Sequence, residues 1–188
     1  IDIYMIHSPP LSYLTDEAFA CMDKLRRSGK IRCWGASVHK PEDALRVIEG
    51  GGQVVEFVYN MLTGELFPGL FDLARERGVG LVAREVLASG LLSGKLTENT
   101  VFPPEGHRSG KFSPARIREM AGKLQTIDWL DDEGVTMPQA ALRYALSEPA
   151  VSSVSVGCRT PGHVERNCRE SGKRLGDARL AQIKALQG

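Results

Sequence analysis

The chain carries no CxxC pair, no Lys-rich run, no G-x-G-x-x-G turn after its first apolar segment, and no apolar stretch near the ~18 residues of a membrane span. Each absence removes a class of function. Cys21, Cys33, Cys158 and Cys168 stand apart without ligand spacing, which reads as reduced thiols rather than a disulfide framework or a zinc site. A net charge of +1 gives no general pull toward nucleic acid or a membrane surface. The missing glycine fingerprint argues against an open dinucleotide-binding sheet. No secretory leader is legible, so the expected location is the cytoplasm. The first residue is Ile1 rather than methionine, and the expectation is that the sequence begins inside a longer reading frame.

What is there is ordinary globular material: 188 residues, 42% hydrophobic and 25% charged, enough for one domain spanning 1–188. Short, β-branched apolar runs occur at 1–6 (IDIYMI), 31–37 (IRCWGAS), 54–60 (VVEFVYN), 79–83 (VGLVA) and 151–156 (VSSVSV). Bounded by glycine, proline or polar residues, they read as strands buried on both faces. Helical segments lie between them. Thr15 is placed to cap one that ends at Gly29, with Ala18, Cys21, Met22 and Leu25 as its inward stripe. Pro41 opens a second, with Ala44, Leu45 and Ile48 facing in, and a third near 69–77 ends at Gly78. Ser113-Pro114 starts a longer helix with Ile117, Met120, Leu124 and Ile127 on one side, closed at Gly134. Pro138 begins another, with Ala141, Leu142, Ala145 and Leu146 inward; Thr160-Pro161 starts the next, and the last runs near 177–186.

Strand and helix in alternation predict a parallel α/β fold with right-handed crossovers. Polar residues collect where the strands end: His7, Ser37, Asn60, Arg84 and the turn Gly157-Cys158-Arg159. In a (β/α)8 TIM-type barrel those ends converge on the face that does the chemistry. Eight strands are needed and five are legible, so the expected fold is an incomplete barrel. Its two edge strands, 1–6 and 151–156, are apolar and unprotected, which predicts self-association of the isolated chain.

The stretches DIYMIHSP, SGKIRCWGASVHKPE, VVEFVYNML, GVGLVAREVLASGLLSGK and SVGCRTPGHVERN together resemble the C-terminal part of an aldo-keto reductase, from its fourth barrel strand onward. The likeness covers nearly the whole chain. It implies NADP (NADPH) bound without a Rossmann domain, and a small-molecule aldehyde or ketone as substrate. It also implies that His7 directs a ring N–H at the carbonyl oxygen, where negative charge builds during hydride transfer. An ordinary strand-end histidine is the alternative; a metal ligand is disfavoured by the lack of a second ligand at suitable spacing.

The same resemblance assigns Ser37, and a residue near Asn60, to the nicotinamide carboxamide. Val38 stands where many members carry Asn, and Glu56 where Gln is usual. An ionised Glu56 accepts from the carboxamide NH2 but cannot donate to its oxygen, which predicts relatively better binding of the oxidised cofactor. Arg84 occupies a place often held by an aromatic residue; its guanidinium could stack on the nicotinamide, or pair with Glu85 at the surface. Gly90, Leu91, Ser93 and Lys95 belong to the loop that the resemblance lays over the pyrophosphate, and the irregular stretch 94–112 reads as a binding loop.

The segment from Gly157 carries physics of its own. A glycine turn followed by Thr160 as cap and Pro161 as first helical residue leaves backbone N–H groups for an anion. Arg159 could add a charge-assisted contact to a ribose phosphate, favouring NADP over NAD. Cys158 lies in the turn, His163 replaces a residue often basic or Gln, and Asn167 sits where the family contacts adenine.

The family's proton donor, a Tyr assisted by Lys and Asp, comes from the first three strands, which this sequence does not contain. Tyr4, Tyr13, Tyr59 and Tyr144 are candidates by type only; Tyr4 and Tyr144 read as packing residues. The chain alone is therefore expected to be inactive, and the leading reading is the larger part of an NADP-dependent carbonyl reductase. The second is a non-catalytic cofactor-binding subunit, similar to the β subunits of potassium channels, or a half-barrel interaction module. A phosphate-binding isomerase or aldolase barrel would explain the anion turn but not the other four segments.

Overall fold

The computed structural model describes residues 1–103, 105, 110–127 and 134–187. Five strands form one parallel sheet in sequential order: β1 (Ile3–His7), β2 (Cys33–Ser37), β3 (Val54–Val58), β4 (Gly80–Arg84) and β5 (Val151–Val154). Helices α1 (Asp16–Arg27), α2 (Pro41–Glu49) and α3 (Leu70–Arg77) fall between the first four strands. The architecture is α/β, and the sheet stays open, with β1 and β5 as its edges. The chain divides into two compact units: 1–59, 65–84 and 148–155, which hold the sheet with α1–α3, and 60–64, 85–147 and 156–188. Among the described residues the second unit contains α4 (Pro114–Gln125), α5 (Met137–Ser147), α6 (Pro161–Cys168) and α7 (Asp177–Gln187).

In the sheet unit, alternation along each strand sorts the side chains between two faces. Trp34 and Ala36 of β2, Val55 and Phe57 of β3, and Leu81 and Ala83 of β4 share one face and are fully buried. Helices cover that face: Phe19 of α1 stacks on Trp34 at 5.2 Å between centroids, and Phe71 of α3 meets Phe57 edge-on at 6.0 Å. Indole Nε1 of Trp34 is satisfied by donating to Asp23 of α1 at 3.0 Å, and this bond chiefly holds the Asp23 carboxyl below its ordinary value. The opposite face carries His7, Ser37, Glu56, Val82 and Arg84 toward the C-terminal ends.

Caps fall where the sequence places them. Thr15 Oγ1 accepts from Ala18 N at 3.2 Å, Pro41 opens α2, and Gly78 ends α3 at φ 65°, a value that favours glycine. Ser113 and Thr160 cap α4 and α6.

Several expectations are corrected. Cys21 is exposed; the buried stripe of α1 runs through Phe19 and Met22, because Phe19 stacks on Trp34 and rotates the inward face by one position. Leu45 is exposed as well, and Val47 takes its place beside Ala44 and Ile48. The helix after Ser113 stops at Gln125 with Thr126 as cap, before Gly134; residues 128–133 lie outside those described. Part of the 94–112 stretch, 104 and 106–109, does too. Leu146 is only half-buried, whereas Tyr144 is buried and its hydroxyl accepts from Gln187 Nε2 at 2.9 Å. Tyr4 is no packing residue: β1 is an edge strand and Tyr4 is 45% exposed.

Candidate functional site

Parallel register fixes the first part of the site. His7 pairs with Ser37, Ser37 with Glu56, and Glu56 with Val82, so these side chains stand in one row on one face of the sheet. Arg84 lies two residues beyond Val82 on the same side. Backbone hydrogen bonds continue past the strand ends: Ser8 N donates to Ser37 O at 3.0 Å, Val38 N to Glu56 O at 2.8 Å, and Tyr59 N to Arg84 O at 3.2 Å. The loops after the strands therefore start in alignment.

Within the row the side chains differ in kind. His7 is exposed at the tip of edge strand β1. Ser37 is 1% exposed, and its Oγ has no hydrogen-bond partner among the described residues. A buried hydroxyl left unpartnered costs roughly 1–3 kcal/mol. Glu56 is buried beside it, the one carboxylate of the row. Gly35, two residues before Ser37, is required by close packing: a Cβ there would lie 1.8 Å from Val54 O.

Arg84 reaches the loop after β2. Its Nη2 donates toward the His39 ring, 2.8 Å from Nδ1 and 3.1 Å from Nε2, and lies 3.4 Å from Val38 O. His39 Nε2 is in turn 3.1 Å from Ser8 Oγ, and Ser8 holds a backbone φ of 46°. Neither His39 nor Ser8 was among the residues singled out from the sequence. The available signal was position: Ser8 immediately follows β1, and His39 stands two residues beyond the end of β2.

The second unit holds the other candidates, in three groups. Asn60, buried, is occupied by backbone: its Oδ1 accepts from Leu62 N (3.0 Å) and Thr63 N (3.2 Å), and its Nδ2 donates to Glu85 O (3.2 Å). This is a turn-organising geometry.

The loop from Glu85 is strained and pinned. Glu85, Ala88 and Ser89 have φ of 52°, 46° and 54°, unusual for residues with a Cβ. Lys111 Nζ binds both Glu85 Oε2 (2.7 Å) and Ser89 Oγ (2.8 Å), and Ser89 Oγ donates to Glu85 Oε2 at 3.2 Å. Gly90 and Ser93 are half-buried, Lys95 is exposed, and Leu91 is 4% exposed.

The third group is the turn before α6. Arg159 N donates to His163 Nδ1 at 3.3 Å, Thr160 Oγ1 accepts from His163 N at 3.3 Å, and Asn167 Nδ2 donates to Cys158 Sγ at 3.2 Å. These bonds link Arg159, Thr160 and His163, and join Cys158 to Asn167. Cys158, Arg159, Thr160, Pro161, Val164 and Glu165 line an open depression there. Pro161 has no N–H and that of His163 is taken by Thr160, which leaves the Gly162 N–H without an acceptor among the described residues. Among the described residues no carboxylate pairs with Arg159, although Glu165 lines the same depression.

Buried Glu170, just after α6, accepts from Arg143 Nε (2.6 Å), Gln139 Nε2 (2.9 Å) and Lys173 Nζ (3.2 Å). Burial pushes its carboxyl up, but the three donors outweigh that, and the net shift is downward from 4.5. Among the described residues no group of three or more His, Cys, Asp or Glu could hold a metal ion, and no helix is long and apolar enough to cross a membrane.

Residues 1–187 match the model of the aldo/keto reductase family. Aldo-keto reductase YhdN of Bacillus subtilis is 28% identical over 171 residues, covering 88% of this chain and 51% of the relative. The NADH-specific methylglyoxal reductase of Escherichia coli is 28% identical over 189 residues, covering 95% and 56%. In structure, the glycerol dehydrogenase AKR11B4 from Gluconobacter oxydans superimposes with a TM-score of 0.86 at 25% identity, covering 99% of this chain and 58% of that one. The chain thus spans between about half and three fifths of the length of these three proteins.

Proposed function

From the premise that the chain belongs to the aldo/keto reductase family, we propose that it supplies the nicotinamide-binding and carbonyl-orienting part of an NADPH-dependent oxidoreductase acting on small aldehydes or ketones. One observation carries the reading: Ser37 Oγ, buried and without a partner among the described residues, lies in register between His7 and Glu56 on one face of the sheet. A carboxamide is a group that such a hydroxyl could bond.

When bound, NADPH would supply the hydride. The residues of this chain would position and polarise. Ser37 would fix the carboxamide and hence the ring face presented; orientation of this kind accounts for much of an enzyme's rate. Glu56 would accept from the carboxamide NH2, favouring the oxidised, positively charged form. His7 would donate a ring N–H to the carbonyl oxygen as charge builds on it. In the second unit, Arg159 and Gly162 N–H would take a phosphate on the adenosine ribose, the basis for preferring NADP over NAD. Gly90, Ser93 and Lys95 would meet the pyrophosphate. None of Tyr4, Tyr13, Tyr59 and Tyr144 is assigned the proton-donor role. Exposed Ile3 and Tyr4 on edge strand β1 support self-association of the isolated chain, and we place the protein in the cytoplasm.

A second reading has an observation in its favour. Two relatives are named as voltage-gated potassium channel β subunits, from Arabidopsis thaliana at 25% identity and from Schizosaccharomyces pombe at 27%. A cofactor-binding subunit without turnover would keep the same Ser37 row. Fluorescence titration of the chain with NADPH and NADH tests what both readings share; saturable binding with NADPH the tighter is expected, and no response from folded protein to either would refute it. Carbonyl-dependent NADPH oxidation then separates enzyme from subunit.

A further inference from the structure

Three residues of one turn hold a backbone that a Cβ opposes: Glu85, Ala88 and Ser89, with φ of 52°, 46° and 54°. Two of the three are polar, and their side chains bond each other, Ser89 Oγ donating to Glu85 Oε2 at 3.2 Å. Lys111, far along the chain, donates to both, 2.7 Å from Glu85 Oε2 and 2.8 Å from Ser89 Oγ. An ammonium only donates and an ionised carboxylate only accepts, so the sense of these bonds is fixed. The ammonium makes no other hydrogen bond or ion pair among the described residues. The Glu85 carbonyl is held as well, accepting from Ala88 N at 2.7 Å and from Asn60 Nδ2 at 3.2 Å. Side-chain contacts thus converge on the residues whose φ is unfavourable. Gly90 comes directly after them, its N–H donating back to Leu87 O at 2.8 Å.

We propose that Lys111 is a positioning residue for the cofactor: by clasping Glu85 and Ser89 it holds the segment 85–93 in the form in which Gly90 and Ser93 meet the pyrophosphate. Pyrophosphate as the ligand rests on the reductase reading; the clasp does not. With three φ values against it, the turn persists only while its side chains are tied down. Without the ammonium, most chains leave that form, and affinity falls by the inverse of the fraction that remains in it. NADPH and NADH share the pyrophosphate, so both weaken alike. A contact to the ribose phosphate would instead affect NADPH alone.

Three measurements on this chain test it. Hydrogen exchange at the Ala88 and Gly90 amides should quicken in Lys111→Met while the amides of β2 and β3 keep their rates; unchanged exchange at Ala88 and Gly90 would overturn the clasp. Fluorescence titration should show Lys111→Met weakening NADPH and NADH by the same factor, about threefold. Nicotinamide mononucleotide, which has no pyrophosphate, should bind both proteins alike. Quickened exchange with unchanged dinucleotide affinity, or an equal loss for the mononucleotide, would overturn the positioning role. Lys111→Met should cost less affinity in a Glu85→Gln chain than in the unaltered one, and an equal cost would overturn Glu85 as its partner. If the unaltered, folded chain binds neither dinucleotide although Lys111→Met quickens exchange, the cofactor reading fails and the clasp stands.

Discussion

Replacing Ser37 by alanine should move stability and affinity in opposite directions. Ser37 is 1% exposed and its Oγ is unpartnered among the described residues. An unsatisfied buried hydroxyl costs roughly 1–3 kcal/mol, and Ser37→Ala removes it. The small void left in place of one oxygen offsets part of that gain, by less than ~1 kcal/mol. A net stabilisation on the order of 1 kcal/mol follows for the ligand-free chain, or about 2–4 °C in melting temperature for a protein of this size. If the same hydroxyl bonds the nicotinamide carboxamide, its loss removes one hydrogen bond worth about 0.5–1.5 kcal/mol, so NADPH binds roughly 2- to 13-fold more weakly. Scanning calorimetry and fluorescence titration on both proteins measure the two effects. A lower melting temperature would mean that the hydroxyl serves the fold; an unchanged NADPH affinity would mean that it does not serve the ligand.

Arg159→Ala should weaken NADPH about tenfold and leave NADH unchanged, as competition titrations would show; equal losses would remove the phosphate contact from the account. Arg143→Ala strips the 2.6 Å partner from a carboxylate only 1% exposed and should cost about 3 kcal/mol in urea denaturation, far more than an exposed pair. Because the Glu170 carboxyl is held below 4.5 in the folded chain, its contribution is present above that pH and lost as pH falls through the lowered value. Glu170→Gln should therefore flatten the acid limb of the stability profile; an unchanged limb would contradict the anchor. Gly35→Ala, with a Cβ 1.8 Å from Val54 O, should cost about 3 kcal/mol or more, and a soluble variant of normal stability would show that the β2–β3 contact is not tight. Glu56→Gln should narrow any preference for NADP+ over NADPH in paired titrations; equal affinities before and after would exclude Glu56 from the carboxamide contact.

The five strands were legible as short β-branched runs between glycines or polar residues. Only β2, β3 and β4 are largely buried, however; the edges β1 and β5 are mostly exposed, against the expectation of burial on both faces. Caps at Thr15, Ser113 and Thr160 were legible for a local reason: each needs only its own next three residues. Helix faces were less so. Cys21 and Leu45 satisfy the helical period but are exposed, because the inward direction of α1 and α2 is set by Trp34 and its neighbours on the sheet, which periodicity does not contain. At the site, the row His7–Ser37–Glu56 follows from strand ends plus register. The Arg84–His39–Ser8 contacts do not, since the partners are 31 and 45 residues apart and one depends on a positive φ at Ser8. Asn60 illustrates the converse: a strand-end amide that the sequence offers to a ligand is spent on three backbone groups.

The most direct measurement uses half of the cofactor. Nicotinamide mononucleotide, added to nitrogen-15-labelled chain, should shift the signals of His7, Ser37 and Glu56 together and saturably. Saturable shifts elsewhere with that row silent, or none at all from folded protein, would contradict the claim that the C-terminal edge of this sheet holds the nicotinamide.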